Sequence, residues 1–386
     1  MDSMPSSLKD EFLLDPKVIF LNHGSFGACP RPVFEAHQQW QRELEREPVD
    51  FIGRRRGVLL GEARAKLAAY IGAETDEVVY FPNPTTAANM IVRSLKLGPA
   101  DEVLATDHEY GAMERTWNFY ASQMGYRYTR RAMPLPTTTP EAFVERFWAG
   151  VTAHTRVIFI SHITSPTALI FPIQEICRRA RAAGILTIID GAHAPGQMAL
   201  DMHAIGADFY IGAAHKWLCA PKGSAFLYAH PEVQSWLLPL VVSWGYQSTA
   251  PSASRFIDYH EYQGTRDFSA HLATPAAIQF QAEHDWPAVR ARCHDLAQSA
   301  RERINALTGL EAICPDSPEW FAQMATIRLP PTDFGQLGTQ LWERYHIEVP
   351  LVYWNEQHML RVSCQAYNSE EDIQALVSAL TELLGL

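Results

Sequence analysis

The stretch 188–228, IIDGAHAPGQMALDMHAIGADFYIGAAHKWLCAPKGSAFLY, carries the residues best suited to covalent chemistry. Asp190 closes an apolar run that reads as a strand, and Lys216 follows a second such run at 208–211, in a turn rich in Gly and Ala. In an open parallel sheet, ligands bind at the carboxyl ends of the strands, so both side chains would face one crevice. A lysine partly withdrawn from water has a lowered pKa and becomes a nucleophilic amine able to form a Schiff base. An acid at the same edge would keep a pyridine nitrogen protonated, and the pair therefore suggests pyridoxal 5'-phosphate (PLP) chemistry. Each residue alone has a plainer reading: an Asp at a strand end often caps a helix, and an isolated Lys is usually a surface charge.

Elements that could position such a pair are legible on both sides of it. Short β-branched runs at 77–81, 102–105, 126–129, 156–160, 186–190, 208–211 and 224–228 alternate with helix-period stretches, such as 175–183, where Ile176, Ala180 and Ala183 share a face. That alternation is the pattern of parallel α/β units. From Thr274 the texture changes. Val289, Cys293, Leu296, Ala300, Ile304 and Leu307 mark a long amphipathic helix that starts near Pro287. Short strands follow near 324–329 and 359–363, and a last helix begins at the capping box of Ser369 and Asp372. The expected fold is α/β: a large domain over 17–273 with a mainly parallel seven-stranded sheet, and a small α+β domain formed by 1–16 and 274–386.

Composition narrows the partners. A formal charge of −11 over 386 residues argues against a nucleic-acid backbone as ligand. The one basic cluster, Arg54 to Arg56, reads as a solvated helix start. Six scattered cysteines without a CxxC pair suit a reducing compartment. Residues 1–16 have no apolar core of a secretory signal, and the longest apolar run, 236–242, contains Pro239 and is far shorter than the ~20 residues a bilayer needs. These features predict a cytoplasmic protein with no membrane and no nucleic-acid partner. GxGxxG, GxxxxGK[ST] and HExxH are missing, so dinucleotide, P-loop and zinc readings lose their support and no metal is expected.

Read together, LNHGSFGACP (21–30), SHITSPTALIFP (161–172), IDGAHAPGQ (189–197), HKWLCAPKGSAFLY (215–228), YQGTRD (262–267) and LRVSCQAYNSEEDI (360–373) resemble the class V aminotransferase family of PLP-dependent, fold type I enzymes, and within it the isopenicillin N epimerase-like branch. The similarity runs over nearly the whole chain in the expected order. The resemblance implies that Lys216 carries the cofactor as a Schiff base, that Asp190 pairs with the pyridine nitrogen, and that His193 contacts the ring's phenolic oxygen. It implies Tyr110, in DHEYGA, as the side chain that stacks on the ring. Thr85 and Thr86 in NPTTAAN would bind the phosphate at a helix N-terminus, where free N–H groups and the dipole favour an anion. Without the rest of the pattern the same segment is a helix capped by Asn83. His215 and Thr265 match further phosphate contacts, with Thr265 supplied across a homodimer interface. Some relatives carry a serine where this chain has Ala213, which removes one hydroxyl from that set.

For a small amino acid substrate, Arg361 matches the arginine that holds the α-carboxylate, a task suited to a rigid bidentate guanidinium. Ser165 stands where relatives place an Asn near the ring oxygen. Asn22 and His23, in the HGSFG segment, either line the substrate side or form a glycine-rich turn with a local cap. Cysteine desulfurases of the family need a mobile cysteine shortly before this arginine, and residues 346–360 contain none, while Cys364 reads as a small buried side chain. The leading expectation is an amino acid epimerase or racemase in which Lys216 moves the Cα proton. A C–S lyase acting on cysteine conjugates or sulfoxides and an aminotransferase are the enzymatic alternatives, and a degenerate PLP fold used for binding is the non-enzymatic one. Inversion needs a second proton donor, for which Tyr110 and His23 are the candidates.

Overall fold

The computed structural model describes residues 8–386, so residues 1–7, the beginning of the segment expected to join the small domain, lie outside it. Seven strands build the main sheet: β1 (Val78–Phe81), β2 (Glu102–Thr106), β3 (Arg127–Arg131), β4 (Thr155–Ser161), β5 (Leu186–Asp190), β6 (Phe209–Ala213) and β7 (Ala225–Ala229). Their order is β1-β7-β6-β5-β4-β2-β3. The central strands β5, β6 and β7 are buried along almost their whole length, as expected of a sheet covered on both faces. Each observed strand lies within two residues of its expected bounds. The reversal of β7, which runs antiparallel to both β1 and β6, is a topological feature that hydrophobic periodicity does not encode.

Because two antiparallel pairings restore the direction, β1 points the same way as β6. The segments after β1, β2, β4, β5 and β6 therefore all emerge at one edge of the sheet. This is the edge at which α/β sheets bind ligands. Helix α1 (Pro84–Ser94) starts there directly after β1. Pro84 occupies its first turn, where no N–H is needed, and the Asn83 side chain accepts from Thr86 N at 2.8 Å.

A second, antiparallel sheet follows in the chain, ordered β9-β10-β8 from β8 (Met324–Arg328), β9 (Leu351–Trp354) and β10 (Gln357–Ser363). The long helix expected from the spacing after Pro287 is α2 (Trp286–Thr308), which packs on β8. The final helix, α3 (Glu370–Leu384), begins at the reciprocal capping box of Ser369 and Asp372 and packs on α2. The N-terminal segment joins the C-terminal part: Ile19–Phe20 pairs in parallel with Ile347–Glu348 as a separate two-stranded sheet, and Ser363 N donates to Leu21 O at 2.9 Å. Among the described residues no helix is long and apolar enough to cross a membrane, and no cluster of three or more His, Cys, Asp or Glu side chains could hold a metal ion.

Candidate active site

A cavity of about 240 Å³ opens at the carboxyl edge of the main sheet. Each segment leaving that edge contributes to its wall: Asn83 and Thr85 after β1, Tyr110 after β2, Ser161 and Ser165 at and after β4, Asp190 and His193 at and after β5, His215 and Lys216 after β6. Ser25 and Phe26 close it from the N-terminal segment.

At its floor, the Asp190 carboxyl accepts the Ala192 N–H at 3.0 Å. Burial raises its pKa, opposed by that bond and by Lys216. The Trp217 indole N–H can only donate, and it donates to His193 Nδ1 at 3.2 Å. The proton of the neutral ring therefore sits on Nε2, which lies 3.2 Å from Lys216 Nζ. A hydrogen bond there needs an acceptor, which the lysine provides only as a free amine. Burial drives Lys216 to about 8, with the Arg361 charge adding to the effect and Asp190 opposing it. Burial and then the Lys216 charge hold His193 well below the usual imidazole range. The turn thus presents a weakly basic amine backed by a neutral imidazole.

Gly27 explains the glycine spacing in HGSFG. Its φ is +71°, and a Cβ there would stand 2.2 Å from the backbone oxygen of His215 and 3.0 Å from Lys216 Cα. The N-terminal segment can press on the lysine turn only because this position has no side chain.

Arg361, on β10, is buried. Its Nη1 donates to Ser165 O at 2.5 Å and to Ser165 Oγ at 3.1 Å, and its Nη2 to Ser25 Oγ at 3.3 Å, while Nε has no partner among the described residues. It forms no ion pair with a described acid. Burial lowers its pKa from 12.5 to about 10. A guanidinium held dry on neutral partners is a receptor for an anion.

Several sequence-derived positions fall elsewhere than on the cavity wall. His23 is fully buried: its Nε2 lies 3.1 Å from Lys216 O, and its Nδ1 faces the Tyr367 hydroxyl at 2.9 Å. Burial lowers it to about 3, so it supports the lysine turn as a neutral ring rather than lining the substrate side. Asn22 accepts from Ser25 Oγ at 2.5 Å and donates to Glu348 at 2.7 Å, which orients Ser25. Neither residue lines the cavity, and Asn22, which precedes the short helix His23–Phe26, makes no side-chain bond to that helix's backbone. The Thr86 hydroxyl donates to Asn83 at 3.0 Å, leaving Thr85 as the threonine on the wall. His215 Nδ1 donates to Ser224 O at 2.9 Å, which leaves Nε2 for a ligand. Thr265 is solvent-exposed and outside this chain's own cavity. Residue-by-residue reasoning missed Ser25, Ser161, Glu109 and Trp217, although all four stand inside or beside the motifs HGSFG, SHITSPT, DHEYGA and HKW.

These residues fit PLP in kind: a buried acid for a pyridine nitrogen, an amine for a carbonyl carbon, and helix α1's N-terminus with Thr85 and His215 for a phosphate. The comparisons with known proteins agree. Residues 29–376 match the family model described as aminotransferase class-V. The chain is 39% identical to isopenicillin N epimerase of Streptomyces clavuligerus, over 98% of both chains. It is 28% identical to a probable chloroplastic L-cysteine desulfhydrase of Arabidopsis thaliana, over 98% of this chain and 86% of that one. Among solved structures, C-DES, a cystine C–S lyase seen with glycine covalently linked to its PLP cofactor, superposes with a TM-score of 0.83 at 20% identity, covering 95% of this chain and 97% of that one. The chain has the fold of these enzymes, its cofactor is PLP, and it belongs to the class V aminotransferase family.

Proposed function

We propose that the protein is a PLP-dependent amino acid epimerase or racemase. The observation that carries this reading is the 39% identity to an isopenicillin N epimerase over essentially the full length of both chains. When bound, PLP supplies an electron sink that makes the Cα proton of an amino acid labile.

The chain's own residues would do the following. Lys216 would hold the cofactor through Nζ and, once free, would take the Cα proton on that atom. His193 Nε2, 3.2 Å from Nζ, positions that nitrogen and would release it when it takes the proton. Asp190 would hold the pyridine nitrogen, and Tyr110 would pack on the ring. Thr85, Thr86 and His215 bind the phosphate, Thr86 through the first turn of α1. Thr265 comes from the partner in a homodimer. Its exposed position and the exposed Trp244, Val242 and Leu238 support such an interface. Arg361 binds the α-carboxylate with Ser25 and Ser165 steering the guanidinium, and Phe26 covers the opening. We assign the second proton donor to Tyr110 Oη. Lys216 follows β6 and Tyr110 follows β2, and β5 with Asp190 lies between them, so the two groups reach the cavity from different walls. His23, with both nitrogens engaged beneath Lys216, is no longer a donor candidate.

The division into a large domain over 17–273 and a small one made from the termini draws support from the separation of the seven-stranded and three-stranded sheets, although residues 19–21 pair with 347–348 and Ser363 and so go with the small domain, and a cytoplasmic location draws support from six free cysteines.

C–S bond cleavage is the second reading, favoured by the desulfhydrase relatives, since elimination needs Lys216 alone and a leaving group. Desulfuration through a cysteine nucleophile lacks its residue. The stretch 346–360 contributes β9 and the start of β10, and its tip is pinned by Trp354 Nε1 and Asn355 Nδ2, each 2.9 Å from Asp107. Cys364 is buried, and burial pushes its thiol well up.

Proton NMR in D₂O of the PLP-loaded protein with a panel of L-amino acids and cysteine conjugates, followed by chiral analysis, tests the proposal. Deuterium at Cα together with D-isomer is the expected result, and Tyr110→Phe should keep Cα exchange while losing the D-isomer. Keto acid with a released β-group and no D-isomer would replace the epimerase with the lyase.

A further inference from the structure

Behind the wall that carries Asp190 lies a second carboxyl group. Glu109 is buried in the turn after β2. Its Oε1 accepts from the Thr106 hydroxyl at the end of β2, and its Oε2 from the Ser161 hydroxyl at the end of β4, each at 2.6 Å. Ser161 lines the cavity and is the register partner of Asp190 across β4 and β5. Side chains at partner positions in a sheet share a face. Ser161 therefore shares a sheet face with Asp190 on the neighbouring strand while its hydroxyl is bonded to Glu109. Glu109 makes no ion pair with a described residue; the ionisable groups bearing on it are Asp190 from β5 and, on the other side, Tyr128 from β3. A buried acid with hydroxyls for partners and a carboxylate for a neighbour keeps its proton. Burial, with Asp190 adding to it, accordingly pushes Glu109 up to about 8.

We propose that Glu109 is a positioning residue for the cofactor: as a neutral acid it donates to Ser161 Oγ, which turns the Ser161 proton toward Asp190 and gives that carboxylate a second hydrogen bond beside the Ala192 N–H. The inference rests on Asp190 being the partner of the pyridine nitrogen. The serine hydroxyl becomes a relay, an acceptor on one side and a donor on the other. When Glu109 loses its proton, both hydroxyls turn back to it and Asp190 loses the bond.

The test uses the PLP-loaded full chain and reads PLP affinity and the visible absorbance band between pH 6 and pH 9.5. Glu109→Gln, whose amide can donate to Ser161 at every pH, should keep PLP affinity at pH 7 within about 2-fold of wild type and should bind PLP more tightly than wild type above pH 8, the titration of Lys216 being common to both proteins. Ser161→Ala and Glu109→Ala should each weaken PLP roughly 10-fold, the scale of one hydrogen bond to a charged group. The double substitution should weaken it no further than either single one, because both break the same relay. Additive losses would overturn the proposal. So would a Glu109→Gln protein as weak as Glu109→Ala at pH 7, or one that retains the wild-type pH response. Lys216→Ala separates the two levels. If the visible band of wild type survives in that variant, the assignment of the cofactor site itself is wrong. If the band is lost as expected but the relay variants behave as wild type, Glu109 alone is misassigned.

Discussion

Lys216→Met, studied in the cofactor-free chain, tests the idea that the fold holds its lysine against the lysine's own preference. Unfolded, the amine has its ordinary value of 10.5, and in the fold it sits at about 8. At about 1.4 kcal/mol for each tenfold change in proton affinity, keeping the ammonium in place at pH 7 costs roughly 3 kcal/mol. The methionine is of similar length and carries no charge, so it removes that cost. It also removes the contact with His193 Nε2, worth about 1 kcal/mol. The variant should therefore be more stable than wild type by about 2 kcal/mol at pH 7. The pH dependence is the sharper signature. The folded value lies below the unfolded one, so the penalty is complete below pH 8 and relieved between 8 and 10.5, where the unfolded chain binds more protons. At pH 9.5 the lead should be roughly 2 kcal/mol smaller and close to nothing. Urea unfolding of both proteins at the two pH values measures it. Equal stability at pH 7, or a lead that does not change with pH, would refute the account of Lys216 as a desolvated amine.

Two other substitutions probe residues just behind the cavity lining. Arg361→Met should raise KM for an amino acid substrate about 100-fold while kcat falls less than 10-fold, because the buried guanidinium gives its charge to the carboxylate and not to the reacting bond; a loss confined to kcat in steady-state kinetics would contradict this. Gly27→Ala should lower stability by about 2–4 kcal/mol and reduce the PLP absorbance of the purified protein. Its methyl must displace the His215 backbone, and a variant with wild-type urea midpoint and full absorbance would mean that the two segments are not locked together.

What the sequence made legible, and what it did not, divides along sequence separation. The helices at 175–183, after Pro287 and after Ser369 were readable because 3.6-residue spacing and a capping box are local properties, and the structure begins the last of them at the same Ser369 box. Asp190 and Lys216 were readable because each follows a strand, so strand direction alone assigns them to one edge. Asn22 and His23 show where this reasoning stops. Their motif is recognisable, but which way the side chains turn depends on Glu348 and on Lys216 O, partners hundreds of residues away in the chain. Glu109 is the same problem in sharper form. In DHEYGA it reads as a surface acid beside the more conspicuous Tyr110, and only tertiary structure bonds it to Ser161, the register partner of Asp190. The groups that perform bond chemistry announce themselves by type and position. The groups that orient them, such as Trp217 on His193 and Ser25 on Arg361, are ordinary residues given a role by tertiary contact. The choice between epimerase and lyase therefore turns on whether a protic group such as Tyr110 reaches the cavity from the wall opposite Lys216, a property of strand order rather than of any motif.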